Sequence, residues 1–288
     1  MEKYAKFRAD TRRPAEPMPA GSWDCQIHVF GDPDVYPLRK QSAYPPPADG
    51  TVGAGLAMHG ALGVKRGVIV QSTAHGTDHS ILLDALAHAG PNYRGVEIIN
   101  DTVSDGELLR LHEAGVRAAR FNFWKQLNIA PTEDEFLRSL ARIGEYGWHA
   151  KVHSAGDEWL GLTDLLDKVK TPIVIDHMGH LVFDKGLEQA PLKMMLGLLE
   201  RENWWILVSN GDRRSVQTEQ WDDALPYARA FIEAAPDRAI WCTDWPMCNI
   251  PSPCPTTPNW WNSSTARRRR RNNGGRYWWI IRPGCLGG

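Results

Sequence analysis

Residues 22–31 read SWDCQIHVFG, an apolar, strand-like run that ends in two polar side chains, Gln26 and His28, with Ile27 between them. Alternation along a strand puts Gln26 and His28 on one face. The same form recurs in KRGVIVQST (65–73), YRGVEIIN (93–100), VRAARFNF (116–123) and WHAKVHSAG (148–156). It recurs again in TPIVIDHMGH (171–180), NWWILVSN (203–210) and DRAIWCTDWP (237–246), which makes eight strand candidates in all. Several are nearly continuous Val/Ile runs, as parallel strands covered on both faces require.

Helical patterns lie between these runs. EDEFLRSLARIGEYG (133–147) places Phe136, Leu140 and Ile143 on one face. Ser104 with Glu107, and Thr132 with Glu135, have capping-box spacing. Gly115 and Gly147 stand where helices hand over to strands, the usual place of a C-terminal cap. Eight strand–helix repeats without a linker predict one α/β domain, a (β/α)8 TIM-type barrel over residues 22–251, preceded by an N-terminal arm, residues 1–21.

In such a barrel the reactive side chains sit at the C-terminal ends of the strands. Gln26 and His28 end the first strand, and Thr73 and His75 the second. Arg120 and Asn122 end the fourth, His153 the fifth, and Asp176 and His177 the sixth. Asn210 and Arg213 follow the seventh, and Asp244 closes the eighth. Any one of these has an ordinary structural use, as a satisfied core histidine or a loop-pinning carboxylate. Together they crowd one rim. A carboxylate among imidazoles and guanidiniums ionises easily and can take a proton from attacking water. Imidazoles can donate to a developing oxyanion, and guanidiniums grip carboxylates with two parallel hydrogen bonds. The inventory suits hydrolysis of an anionic ester or lactone. There is no Gly-rich phosphate loop and no G-x-S-x-G elbow, which excludes the nucleotide-binding and serine-esterase readings.

The chain carries 33 basic and 34 acidic residues, but the last 37 residues, 252–288, hold seven Arg and no Lys, Asp or Glu. Without them the body is acidic, so nucleic acid is not an expected partner. The five cysteines (Cys25, Cys242, Cys248, Cys254, Cys285) form no C-x-x-C pair, which predicts a reduced, cytoplasmic setting. The polar N-terminus has no signal-peptide core, and no apolar run is long enough for a membrane span. Residues 252–288 also contain five consecutive Arg and two Trp-Trp pairs, with no helical period. A barrel would place its eighth helix here. The expectation is that this helix is lost or replaced by an atypical tail, and the abrupt loss of acidic residues suggests an out-of-frame gene end.

DCQIHVFG, VQSTAHGTD, RFNFWKQ, VIDHMG and CTDWP, in this order over residues 22 to about 250, resemble the amidohydrolase-related family. That family includes 2-pyrone-4,6-dicarboxylate lactonase and galactarolactone isomerase. The resemblance implies a TIM-type barrel and, in the lactonase branch, hydrolysis of a dicarboxylate or sugar-acid lactone without a cofactor. By resemblance Asp244 is the general base for water, and His28 and His177 polarise the lactone carbonyl. Tyr44, Thr73, Arg120 and Arg213 resemble the residues that hold the substrate's carboxylates. His75, Lys125, His153 and Gln26 are expected in the substrate-binding set as well.

The departures are also informative. Gln26 stands where the lactonase branch has His, and Q-x-H is closer to the isomerase branch. Gln126 replaces a second cation beside Lys125. The alternative is a metal-dependent amidohydrolase or decarboxylase on the same barrel, with one divalent ion, zinc or manganese, on His28, His153, His177 and Asp244. Against it, a neutral amide such as Gln26 is a weak zinc ligand. The expected partner is a small anionic lactone.

Overall fold

Each strand candidate is a stretch whose alternate residues must be buried on two sides, and in a computed structural model these stretches lie side by side. The structure describes residues 11, 18–39, 46–217 and 221–246, together with the backbone of 268–271 and 277–280. The strands are β1 (Trp23–Ile27), β2 (Arg66–Val70), β3 (Tyr93–Glu97), β4 (Val116–Asn122), β5 (His149–His153), β6 (Ile173–Ile175), β7 (Trp204–Val208) and β8 (Ala239–Trp241). They form one sheet in the order β1 to β8, with every neighbour parallel. A parallel bridge between Ile27 and Trp245 brings the last strand's end back to the first, giving the predicted barrel.

The helices between the strands are α1 (Val52–Leu62), α2 (Ser80–Ala89), α3 (Asp105–Glu113), α4 (Glu133–Glu145), α5 (Thr163–Leu166), α6 (Ala190–Leu199), α7 (Gly211–Arg214) and α8 (Leu225–Ala234). Thr132 and Glu135 form the full capping box of α4, and Phe136, Leu140 and Ile143 are its buried face. Ser104 caps α3 by accepting from the Glu107 N–H. The Glu107 carboxylate does not complete that box, because Arg110 one turn on takes both its oxygens. Gly115 and Gly147 end α3 and α4 at φ +105° and +66°, a backbone that a Cβ would strain.

Two apolar layers result. Between barrel and helices lies the large core, from Ile69 and Ile206 to Trp148, Trp159, Phe136 and Phe231. Inside the barrel Cys25, Val174, Leu207, Ile240 and Cys242 pack against one another, with Val70, Val96 and Ala118 beside them. Burial pushes the Cys25 thiol up to about 12 and Cys242 well above its ordinary value, so both behave as small apolar fillers. The position of the helix expected after β8 lies outside the described residues, as does most of the tail. Of that tail, the backbone of β9 (Arg268–Arg271) and β10 (Tyr277–Ile280) is described, as an antiparallel pair. Among the described residues no helix is long and apolar enough to cross a membrane.

Candidate active site

The site begins with a fault in β1. Trp23 and Asp24 pair with Arg66 and Gly67, but the next partner pair is Ile27 with Ile69, so β1 carries one extra residue. Such a bulge re-aims side chains. Here it lets Cys25 join the interior packing while Gln26, its neighbour, also meets groups inside the barrel. Asp24 points the other way and locks the seam. Its carboxylate accepts from the Gln26 N–H (3.2 Å), the Thr243 N–H (3.0 Å) and the Thr243 hydroxyl. It also pairs with His59 Nε2 (3.0 Å), whose Nδ1 meets the Tyr93 hydroxyl (2.8 Å). Above it, the His28 N–H donates to the Trp245 carbonyl (2.6 Å) and the Asp244 N–H to the Gln26 carbonyl (3.1 Å). First and last strands are therefore joined at the very residues that carry the polar rim.

Four predicted residues meet here. Gln26 Nε2 donates to Asp244 Oδ1 (2.8 Å) and lies 2.9 Å from His177 Nε2 and 3.3 Å from His28 Nε2. The far nitrogen of each imidazole has its own acceptor: His28 Nδ1 faces the Val70 carbonyl at 2.7 Å, and His177 Nδ1 the Ser209 hydroxyl at 2.8 Å. A backbone carbonyl only accepts, so His28 carries its proton on Nδ1 and, when neutral, turns a lone pair on Nε2 inward. His177 Nε2 faces an N–H of the Gln26 amide and accepts from it, its Nδ1 lying on the Ser209 hydroxyl, which can take either role. Burial lowers the His177 pKa to about 4, against the opposing pull of Asp176 and Asp244, and so keeps that ring neutral. Burial alone would raise Asp244, but the charged form of His177, Arg213 and the charged form of His28 outweigh it and hold its carboxyl well below the usual range. Arg213 reaches Asp244 Oδ2 at 3.1 Å.

The backbone here is unusual. His177, Met178, Gly179 and His180 have φ of +49°, +50°, +63° and +47°, and Asn210 and Asp244 are also left-handed at +60° and +54°. The left-handed region costs a non-glycine residue about 1–2 kcal/mol, and such outliers concentrate at functional sites. The turn explains why β6 ends at Ile175 rather than running on to His180: it swings both histidines back over the barrel mouth.

A ladder of charge runs below. Asp176, wholly buried, takes Arg120 Nη2 at 2.7 Å on Oδ2 and has Lys151 Nζ 3.3 Å from Oδ1. The charged form of His177, with Lys151 and Arg120, overcomes the upward push of burial and keeps the Asp176 carboxyl far below the ordinary range.

His28, Thr73, Arg120, His153, Arg213 and Asp244 share the walls of a chamber of about 210 Å³. Its charged lining residues are two guanidiniums against one carboxylate, a balance that favours an anion. A second chamber of about 510 Å³ lies beside it, with Arg39, His75 and Asn122 in its wall and Arg120 common to both. His75 therefore faces the neighbouring space, with Nδ1 near the Pro37 carbonyl (3.2 Å). Lys125 is exposed on a short turn, and its neighbour Gln126 lines the first chamber instead. Gln26 lies fully buried behind the wall rather than on it. Tyr44 lies outside the described residues.

Three contributors escaped the sequence reading. His180 bonds His153 across Nε2 atoms 2.9 Å apart and stacks beside Trp124. Lys151 and Asp24 are the others, and a charged residue within an otherwise apolar strand was the available signal for both.

A divalent cation would need His28, His177 and Asp244 to converge on an open point with His153. Three of these converge, but on a nitrogen of Gln26, and His153 turns its Nε2 to His180. Among the described residues no group of three or more His, Cys, Asp or Glu side chains is disposed to hold a metal ion. As they stand, these residues do not fit one.

The amidohydrolase family model matches residues 23–268. The chain is 34% identical over 256 residues to a 2-pyrone-4,6-dicarboxylate hydrolase of Comamonas testosteroni, covering 86% of this chain and 84% of the relative. It is 36% identical over 230 residues to a 4-sulfomuconolactone hydrolase of Rhizobium radiobacter, covering 80% and 77%. It is 26% identical to a D-galactarolactone isomerase of Agrobacterium fabrum, covering 86% and 84%. A crystal structure of an Agrobacterium tumefaciens protein superposes with a TM-score of 0.72 at 25% identity, over 85% of this chain and 89% of that one. With its barrel, its rim and this match over most of its length, the chain belongs to the amidohydrolase family.

Proposed function

We propose that the protein hydrolyses a small lactone that carries a further acidic group, and that it does so without a metal. The observation that carries the reading is the ionised Asp244, 3.5 Å from His28 Nε2 and 3.1 Å from Arg213, on the wall of a chamber rich in guanidinium. The relatives named for 2-pyrone-4,6-dicarboxylate and 4-sulfomuconolactone hydrolysis support the substrate class.

In this mechanism Arg120 and Arg213 receive the substrate's acidic groups and set the ring carbonyl over Asp244. Asp244 accepts the proton of a water as its oxygen attacks that carbonyl. The proton moves on to the inward lone pair of His28 Nε2. The resulting imidazolium, still anchored through Nδ1 to the Val70 carbonyl, donates to the oxyanion and then to the departing ring oxygen. Collapse of the tetrahedral intermediate opens the ring to a hydroxy-acid or its enol form.

The test is ultraviolet-monitored hydrolysis of 2-pyrone-4,6-dicarboxylate and of 4-sulfomuconolactone, with and without a chelator. Turnover of either that survives chelation is the expected result. Turnover abolished by chelator and restored by zinc or manganese overturns the metal-free part, and no turnover of either lactone overturns the substrate class. Gln26, shared in pattern with the isomerase branch, favours a second reading as a lactone isomerase. D-galactarolactone in the same assay, with the products resolved by NMR, separates ring opening from ring migration.

A further inference from the structure

Gln26 is the one member of the central cluster for which hydrolysis needs no chemistry, yet every other member is arranged around it. Its side chain is fully buried, and its Nε2 lies 2.8, 2.9 and 3.3 Å from Asp244 Oδ1, His177 Nε2 and His28 Nε2. All three are acceptors: a carboxylate oxygen, the His28 nitrogen left with a lone pair because its Nδ1 faces the Val70 carbonyl, and the His177 nitrogen, which meets an N–H of the amide while its Nδ1 lies on the Ser209 hydroxyl, a group able to accept. Acceptors of two kinds, N and O, turned toward one point are the donor set that binds a divalent cation. Without a positive centre among them, three lone pairs would repel one another in a dry interior.

The amide nitrogen supplies that centre. Its two N–H bonds suffice for the two nearer acceptors, and the third, His28, is held at a longer distance. The orientation follows from the neighbours, since a carbonyl oxygen 2.8 Å from the Asp244 carboxylate would be repelled. Gln26 Oε1 meets no hydrogen-bond donor among the described residues, so the group is buried here for the sake of its nitrogen.

We infer that the Gln26 carboxamide is a built-in substitute for a cation: it positions Asp244, His177 and His28, and by standing at their common focus it keeps divalent metal out. Gln26 is a positioning residue on this reading, acting on substrate only through the groups it holds. The inference rests on the metal-free part of the proposed function and is independent of which lactone is the substrate.

The experiment exchanges position 26. Wild type, Gln26→His and Gln26→Glu are incubated with zinc, dialysed, and analysed for bound metal by mass spectrometry and for zinc-dependent thermal shift. Gln26→Glu is nearly isosteric with the native residue, so it keeps the test open if the imidazole is too bulky to fold. The expected result is no stoichiometric zinc on wild type and one zinc per chain on at least one variant. Affinity should rise more than about tenfold over wild type, equivalent to roughly 1.4 kcal/mol. Adding His177→Gln to Gln26→His should remove the gained metal. A variant that folds only with zinc counts as a gain. One tightly bound zinc on wild type overturns both this inference and the metal-free reading. Metal-free wild type with no gain in either variant overturns this inference alone.

Discussion

Replacing Asp176 by Asn tests whether the charge ladder is as dependent on its single carboxylate as the geometry implies. Asp176 is wholly buried, and Arg120 and Lys151, 5% and 2% exposed, approach its two oxygens at 2.7 and 3.3 Å. At an effective dielectric of about 20, these separations correspond to gross attractions of roughly 6 and 5 kcal/mol. Most of that offsets the desolvation of three ions, so the pair-by-pair sum overstates the net benefit. Removing the common partner is different, because both cations then stay buried without an anion. Breaking a buried pair costs about 3–5 kcal/mol. That is a large share of a domain's roughly 5–15 kcal/mol total and should lower Tm by on the order of 10 °C. The assay is thermal and urea unfolding of wild type, Asp176→Asn, Lys151→Met and the double variant. In the double variant Lys151 no longer needs a counter-ion but Arg120, the closer partner, still does, so part of the loss, less than half, should return. A single-variant loss below about 1 kcal/mol, or a double variant no more stable than Asp176→Asn, would refute the ladder.

Three further outcomes follow from the same contacts. Asp244→Asn should fold and bind but lose about 10²–10⁴-fold in kcat, the range for a positioned general base, and a kcat within a few-fold of wild type would remove Asp244 from that role. Glu97 is fully buried against His79 (3.3 Å), and burial raises its pKa to about 7 from 4.5, so the folded state holds a proton that the unfolded chain has released. Stability should therefore fall as pH rises from about 4.5 to 7, by at most about 3 kcal/mol, and Glu97→Gln should flatten that decline in urea titrations across pH. A variant with an unchanged slope would count against it. At Gly67 a Cβ would come within 2.7 Å of Tyr93 Cε1 and 2.9 Å of His59 Cε1, the pair that braces Asp24. Gly67→Ala should cost about 1–3 kcal/mol in unfolding experiments, and normal stability would show that Tyr93 and His59 yield freely.

By itself the sequence determined the barrel and the side of it on which chemistry could occur. Both are local: Val/Ile runs bounded by turns specify strands, the 3.6 period of Phe136, Leu140 and Ile143 specifies a helix face, and each polar strand end marks the rim. Asp244, His28, His177 and Arg213 were legible for that reason, and their motifs carried the family with them. Three things only the tertiary structure decided. The bulge in β1 faces Cys25 and Gln26 into one interior, against simple alternation, because the register of β1 is set by pairing with β2. The left-handed turn at His177–His180 brings His180 Nε2 within 2.9 Å of His153 Nε2. The focus on Gln26 joins residues 218 positions apart, which no pattern in a single segment encodes. It forms only when the seam between the first and eighth strands closes, and that closure depends on Asp24, His59 and Tyr93 packing together at a distance in sequence.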